Sequence, residues 1–361
     1  MGKVLFGPAG NSLSFYEQGH KSTMETAKWL TEQGKGKFEN GLDLFEYSFG
    51  QGYRMKTELA EQIGEEFKKY GIEISLHAPY FINFANPDPV MFEKSLGYIK
   101  TGIKFMHAFG AKRMVFHPAS CGKETRDNAV KLMTQRFKEF MPEIEKELGQ
   151  GMYICPETMG KTMQIGTWKE IIDLCTISEK LMPTFDFGHI NALTQGTLKA
   201  KVDYQRIFDY SFEKLGEDRT RNAHVHFSKI EYGPKGEIRH LTFDDNVYGP
   251  EFEPFCDCLI DNNLNCHVIC ESNGTMAEDS VIMKNIYLNK TMKKIYFVLP
   301  GFSRRPIGGY KIILKYANLL ASENYKVGIV YLEDKRYPKY SWKWLVLKYW
   351  TKKGPNWIKL N

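Results

Sequence analysis

The feature that most constrains this chain is an alternation of element type repeated eight times. Short runs rich in β-branched and aromatic residues occur at Lys3–Gly7, Leu42–Ser48, Ile72–His77, Arg113–His117, Met152–Glu157, Pro183–Asp186, Ala223–Phe227 and Cys266–Glu271. Stretches with helical periodicity lie between them, among them Thr57–Tyr70, Phe92–Phe109 and Asp127–Leu148. Gly71, Gly110 and Gly151 mark the joints before the third, fourth and fifth runs. Eight strands separated by helices leave two architectures, a closed (β/α)₈ barrel or a doubly wound open sheet. No glycine-rich GxGxxG turn follows the first run, which counts against a dinucleotide-binding sheet. The expected fold class is therefore α/β, a (β/α)₈ TIM barrel over residues 1–288 with a short C-terminal βαβ-like appendage.

A chain of 361 residues has room for one large barrel and an appendage. No apolar stretch approaches the roughly 20 residues of a membrane span, and the N-terminus lacks a signal-peptide pattern. Seven cysteines without paired CxxC spacing read as reduced thiols, so a cytoplasmic location is expected. The close pair Cys256 and Cys258 reads as packing. The net charge of +6 is unevenly divided. Residues 289–361 carry 16 basic and 3 acidic residues, a net +13, which leaves −7 for residues 1–288. The barrel would thus meet nucleic acid with local charge and bound cations rather than with a basic body.

What ends each run carries the chemistry. The third run closes on His77, the fourth on His117, the fifth on Glu157 and the sixth on Asp186, with His189 three residues on. The seventh holds His224 and His226, and the eighth closes on Glu271. In a barrel these C-terminal strand ends converge on one mouth, where catalytic groups sit. Imidazole with carboxylate is a ligand set for zinc, manganese or iron. Crowded carboxylates repel unless cations lie between them. His77, His117, Glu157, Asp186, His189, His226, His240 and Glu271 make eight ligand candidates, enough for two or three ions, and paired ions roughly 3.5–4 Å apart suit phosphoryl chemistry.

Several motifs make the reading specific: His77-Ala78-Pro79-Tyr80-Phe81-Ile82-Asn83, Phe116-His117-Pro118-Ala119-Ser120, Pro156-Glu157-Thr158, Asp186-Phe187-Gly188-His189 and Cys270-Glu271-Ser272-Asn273. In order and spacing, residues 1–288 resemble the endonuclease IV family, apurinic/apyrimidinic endonucleases of the xylose-isomerase-like barrel superfamily. The resemblance implies three zinc ions, with manganese or iron as alternatives. His77, His117 and Glu157 would hold a first. Glu157 would bridge to a second, completed by Asp186, His226 and Glu271. His189 and His240 would hold the third. It also implies that hydroxide attacks the phosphorus 5′ to an abasic sugar, with Glu271 and Glu157 as catalytic residues and Glu271 orienting the nucleophile. His226-Phe227-Ser228-Lys229 fits the family's seventh-strand motif better than His224 does. Alternation turns both histidines the same way, so His224 reads as a deeper core residue.

The sequence departs from the family at one ligand. An Asp is expected two residues before His240, and Ile238 stands there. Glu237 would substitute only if the loop shifts. The site is thus expected to be dinuclear, to have a water in the gap left by the missing Asp, or to be trinuclear. DNA contacts are expected from Tyr80 and Phe81, which match residues that wedge into the base stack, and from Gln51, Arg54 and Lys229.

The remainder reads separately. Met292 to Pro300 opens a buried strand, Gly308-Gly309-Tyr310 leads a helix through Ser322, and Lys326–Leu332 forms another strand. This resembles the opening of a family-4-type glycosyltransferase without its nucleotide-sugar half. It is expected to be a fused fragment or a basic appendage with nonspecific nucleic-acid affinity. The expected function is a metal-dependent, monomeric DNA repair endonuclease, a hydrolase that cuts the phosphodiester 5′ to abasic sites in duplex DNA. The alternative is a divalent-metal sugar isomerase or epimerase of the same superfamily; a non-catalytic binding barrel is a third class.

Overall fold

The computed structural model describes residues 4–35, 41–291, 294–299, 308–322, 325–332, 345–351 and 354–360. The chain divides into two compact units, Met1–Ile286 and Tyr287–Asn361.

All eight expected strands form in the first unit: β1 (Leu5–Pro8), β2 (Leu44–Ser48), β3 (Glu73–His77), β4 (Arg113–Phe116), β5 (Tyr153–Pro156), β6 (Thr184–Asp186), β7 (His224–Phe227) and β8 (His267–Cys270). Every pairing is parallel, in two arcs ordered β2-β3-β4-β5 and β1-β8-β7-β6. Two seams close the arcs into a barrel. At one, Ala9 bridges Glu46 and the Asp43 amide donates to the Phe6 carbonyl at 2.8 Å. At the other, Glu157 bridges Thr184 and the Thr158 amide donates to the Thr184 carbonyl at 3.0 Å. The first seam needs Gly7, because a Cβ there would lie 1.9 Å from the Leu44 carbonyl oxygen.

The helices start and stop where local chemistry dictates. The helix Pro89–Phe109 begins with the Asp88 carboxylate accepting from the Val90 amide at 2.8 Å, followed by Pro89 with its preset φ. It ends on Gly110 at φ 69°, a left-handed conformation that glycine adopts without strain. The helix Trp168–Cys175 opens with a reciprocal Thr167–Glu170 capping box. All seven cysteines are buried. Cys256 and Cys258 are fully enclosed on the helix Phe252–Asp261, which agrees with a packing role.

In the second unit, Lys294–Leu299 and Lys326–Leu332 pair in parallel, with the helix Gly308–Ser322 between them in sequence. Leu299, Ala317, Val327 and Ile329 form its buried cluster. The expected βαβ unit is present, although Met292 and Pro300 lie outside the described residues. Two further antiparallel strands, Leu345–Thr351 and Gly354–Leu360, extend the sheet beyond what the sequence reading anticipated. Among the described residues, no helix is long and apolar enough to cross a membrane.

Candidate metal centre at the barrel mouth

The parallel register sets the depth of each side chain. Asp186 stands opposite His226, and His226 opposite Ile269, so the ends of β6, β7 and β8 reach one level. His117, Glu157 and Glu271 lie one residue beyond their strands, where the chain turns over the rim. Carboxylates and imidazoles from six strand ends therefore converge on one space, as barrel closure requires.

Glu157 is the hub. Its Oε2 lies 3.2 Å from His77 Nε2 and 3.1 Å from His117 Nε2. Its Oε1 lies 3.0 Å from His226 Nδ1. The two oxygens of one buried carboxylate thus face two different groups of side chains. Those groups are His77–His117–Glu157 and Glu157–Asp186–His226–Glu271, each with donor atoms within 4.8 Å of one another. Burial alone would raise the Glu157 carboxyl, but His226, His117 and His77 outweigh it and hold it well below the usual range. Burial acts against Glu271 in the same way, and His226 brings it down to about 2.

The histidines are held by their second nitrogens. His77 Nδ1 lies 2.8 Å from the Ala78 carbonyl, His189 Nδ1 2.9 Å from the Thr158 carbonyl, and His240 Nδ1 2.8 Å from the Ser228 hydroxyl. Such outer contacts fix the tautomer and leave Nε2 as the available ligand atom.

A third group consists of His189, Glu237 and His240. Glu237 Oε2 lies 3.4 Å from His189 Nε2, while Ile238 is 56% exposed. The sequence allows Glu237 at this place only if the loop shifts, and a β-bulge supplies that shift. The hairpin strands Ile230–Gly233 and Gly236–His240 pair Glu231 with Arg239 but Tyr232 with Glu237, leaving Ile238 as the extra residue. A bulge interrupts strand alternation, so residues three apart, Glu237 and His240, turn to the same face.

Two observations test whether this donor set fits cations. Asp186 Oδ1 accepts from the His189 amide at 2.8 Å, while its fully buried Oδ2 has no hydrogen-bond partner among the described residues. Burial, with Glu271 and Glu157 nearby, pushes the Asp186 carboxyl up to about 8 in the metal-free protein. Clustered carboxylates that cannot all ionise, together with an orphaned oxygen, are what a bound cation would satisfy. The residues fit.

His224 is deep core, as its alternation predicted: fully buried, with Nε2 3.0 Å from Glu46 Oε2. Glu46 was not among the sequence-predicted residues. Its signal was present, an acidic residue on the inward set Leu44, Glu46, Ser48 of an otherwise apolar strand. It lies mid-strand, away from the strand ends that carry the other candidates.

Tyr80 and Phe81 are each 56% exposed beside the mouth, and the Tyr80 ring stacks on His117 at 5.3 Å. Gln51 and Arg54 are exposed and line a shallow recess that shares Tyr80 with the mouth. Lys229 is a correction. Its ammonium is buried against the Glu251 carboxylate at 2.8 Å and the Asp245 carbonyl at 2.7 Å, so it is not presented to a phosphate.

The family model described as xylose isomerase-like TIM barrel matches residues 38–286. An uncharacterised protein of Methanocaldococcus jannaschii is 29% identical over 248 residues, covering 68% of this chain and 87% of its own length. A probable endonuclease 4 of Staphylococcus carnosus is 31% identical over 204 residues, covering 53% of this chain and 66% of its own. Among solved structures, a D-tagatose 3-epimerase-like protein is similar in fold, with a TM-score of 0.55 at 19% identity over 80% of this chain and 98% of its own.

Proposed function

The chain belongs to the xylose isomerase-like TIM barrel family, and we propose that within it the protein is a metal-dependent DNA repair endonuclease that hydrolyses the phosphodiester 5′ to abasic sites in duplex DNA. The observation that carries this reading is the division of Glu157 between two ligand groups, with a third group of His189, Glu237 and His240 beside them. A set of this size suits phosphoryl transfer, where charge must be neutralised on both the attacking and the leaving oxygen. The resemblance to endonuclease IV motifs and the likeness to a probable endonuclease 4 support the same reading.

His77, His117 and Glu157 would hold one divalent cation, Glu157, Asp186, His226 and Glu271 a second, and His189, Glu237 and His240 a third. Zinc suits this imidazole-carboxylate set, as do manganese and iron. Bound there, divalent cations supply a nucleophile at neutral pH and neutralise charge on the phosphate. Glu157 keeps its two oxygens apart and turned to separate groups. Glu271 Oε1, 3.3 Å from His226 Nδ1 and held ionised, would orient the attacking water by accepting a hydrogen bond from it. Tyr80 and Phe81 offer exposed rings to stack where the base is missing. The cations offset the net −7 of residues 1–288, and the protein would act as a monomer.

The second reading is a sugar isomerase or epimerase. It is favoured by the group Glu157, Asp186, His226 and Glu271, which alone makes a complete site for one divalent ion. Incision of a duplex with one abasic-site analogue separates the two readings. The metal-loaded protein should cut 5′ to the lesion with two or three ions per chain, and Glu157→Gln and His117→Ala should each lose incision. Loaded protein that does not incise but interconverts ketoses or aldoses would establish the second reading.

A further inference from the structure

Below the ligand groups lies a buried cluster that they do not use: Glu46 on β2, Ser75 on β3, and His224 on β7, in contact with His226. Glu46 is 1% exposed, yet it is an acidic residue in the barrel interior. Its Oε2 is fixed, accepting from the Ser75 hydroxyl at 2.8 Å and facing His224 Nε2 at 3.0 Å. Its Oε1 lies 2.9 Å from His226 Nε2. The opposite nitrogen of that ring, Nδ1, faces Glu157 Oε1 at 3.0 Å and Glu271 Oε1 at 3.3 Å. One imidazole thus stands between a carboxylate below and the ligand group above.

The lower contact is within ion-pair distance but is not aligned as a hydrogen bond, so Glu46 Oε1 and His226 Nε2 both lack a hydrogen-bond partner among the described residues. Two facing, fully buried polar atoms left unmatched point to a state in which the ring is turned slightly and they are matched.

We propose that Glu46 is a positioning residue for the metal centre: its carboxylate accepts a hydrogen bond from His226 Nε2–H, fixes the ring's tautomer and presents Nδ1 as a ligand beside Glu157, Asp186 and Glu271. Ser75 and His224 anchor the carboxylate from the far side, so it acts through His226 and is not itself a ligand. Carboxylate–histidine–metal relays of this kind raise ligand basicity and orient the ring. The inference rests on the metal reading above, not on the choice of substrate.

The test uses the full-length protein, Co²⁺ alone as probe, and chelator competition with the visible absorption of bound cobalt. Glu46→Gln keeps shape and an acceptor but removes the charge. It should weaken one class of bound ion roughly 10- to 100-fold and shift its absorption band, while the other ions stay as in the wild type. Ser75→Ala removes one anchor of Glu46 without touching its charge, and should shift the same class of ion in the same direction by less. Glu46→Asp, which restores charge with a shorter reach, should recover part of the affinity. Wild-type affinity and spectrum in Glu46→Gln overturn the inference. If Glu46→Gln fails to fold, wild-type binding by Ser75→Ala overturns it instead. Wild-type protein that takes up no ion overturns the metal reading and this inference together, whereas normal uptake in wild type and variants alike overturns this inference alone.

Discussion

Glu237 Oε2 lies 3.4 Å from His189 Nε2, although the residue two places ahead of His240 is the exposed Ile238. The bulge at Ile238 moves the acidic position one residue earlier along the strand and keeps it on the face of His240. Glu237→Gln should therefore lower the ion count from three per chain to two and leave the Glu157 groups filled. Ile238→Asp should add no affinity, because the bulged residue points to solvent. Elemental analysis of dialysed protein reads both. A full complement of three ions in Glu237→Gln would remove Glu237 from the ligand set.

Tyr80 and Phe81 combine exposure with a place beside the centre, and Tyr80 stacks on His117. If they stack on exposed bases, Tyr80→Ala and Phe81→Ala should each weaken binding of an abasic duplex by about 1–3 kcal/mol, roughly 5- to 150-fold. Metal content should be unchanged, and the cost should fall on KM more than on kcat. Fluorescence anisotropy with a labelled duplex measures it. Equal affinity for wild type and both variants would assign these rings to packing under the loop.

The barrel was legible because its signals are local and repeated. Each strand is a short run rich in β-branched and aromatic residues, most of them closed by a ligand candidate, and the alternation with helical periodicity locates it. Six of the eight ligand candidates were legible for a related reason, since closure brings strand ends together whatever lies between them; His189 lies one helical turn past Asp186, and His240 lies on a hairpin outside the barrel strands. Glu46 was not legible in this way. It lies mid-strand, and its partners Ser75 and His224 are 29 and 178 residues away. Glu237 was visible as a residue, but its direction depends on a bulge that only cross-strand pairing defines. Lys229 reads in sequence as a DNA contact beside the seventh-strand motif; its ion pair with Glu251 depends on how the following loop returns.

The β1–β2 seam offers a test of the fold itself. A Cβ on Gly7 would lie 1.9 Å from the Leu44 carbonyl oxygen and 2.6 Å from the Leu44 Cβ. Both contacts are with the neighbouring strand, which is fixed by its own pairing with β3. Gly7→Ala should therefore destabilise the barrel by about 1–3 kcal/mol or more. Urea unfolding would show this as a lower midpoint. An unchanged midpoint would mean that the seam is looser than its geometry indicates.

The protonation of His189 and Asp186 couples metal uptake to pH. Burial alone would lower His189, but the carboxylates of Asp186, Glu157 and Glu237 outweigh it and raise it from 6.5 to about 9. Asp186 rises from 3.8 to about 8, through burial and then the nearby Glu271 and Glu157. Both groups hold their proton more tightly in the metal-free fold than in the unfolded chain. Their contribution to stability is therefore full at low pH and is lost as pH rises, through about 8 for Asp186 and about 9 for His189. Glu271 has the opposite sign, but its contribution is lost only as pH falls towards about 2, outside this window. Metal binding requires the deprotonated ligands. Apparent metal affinity should therefore rise with pH, by up to about tenfold per unit for each proton released. Thermal melts with and without chelator should diverge between pH 6 and 8.5, the metal-free Tm falling while the metal-loaded Tm holds. A gap that stays constant across that range would mean that His189 and Asp186 release no protons to the metal, and would remove them from the ligand set.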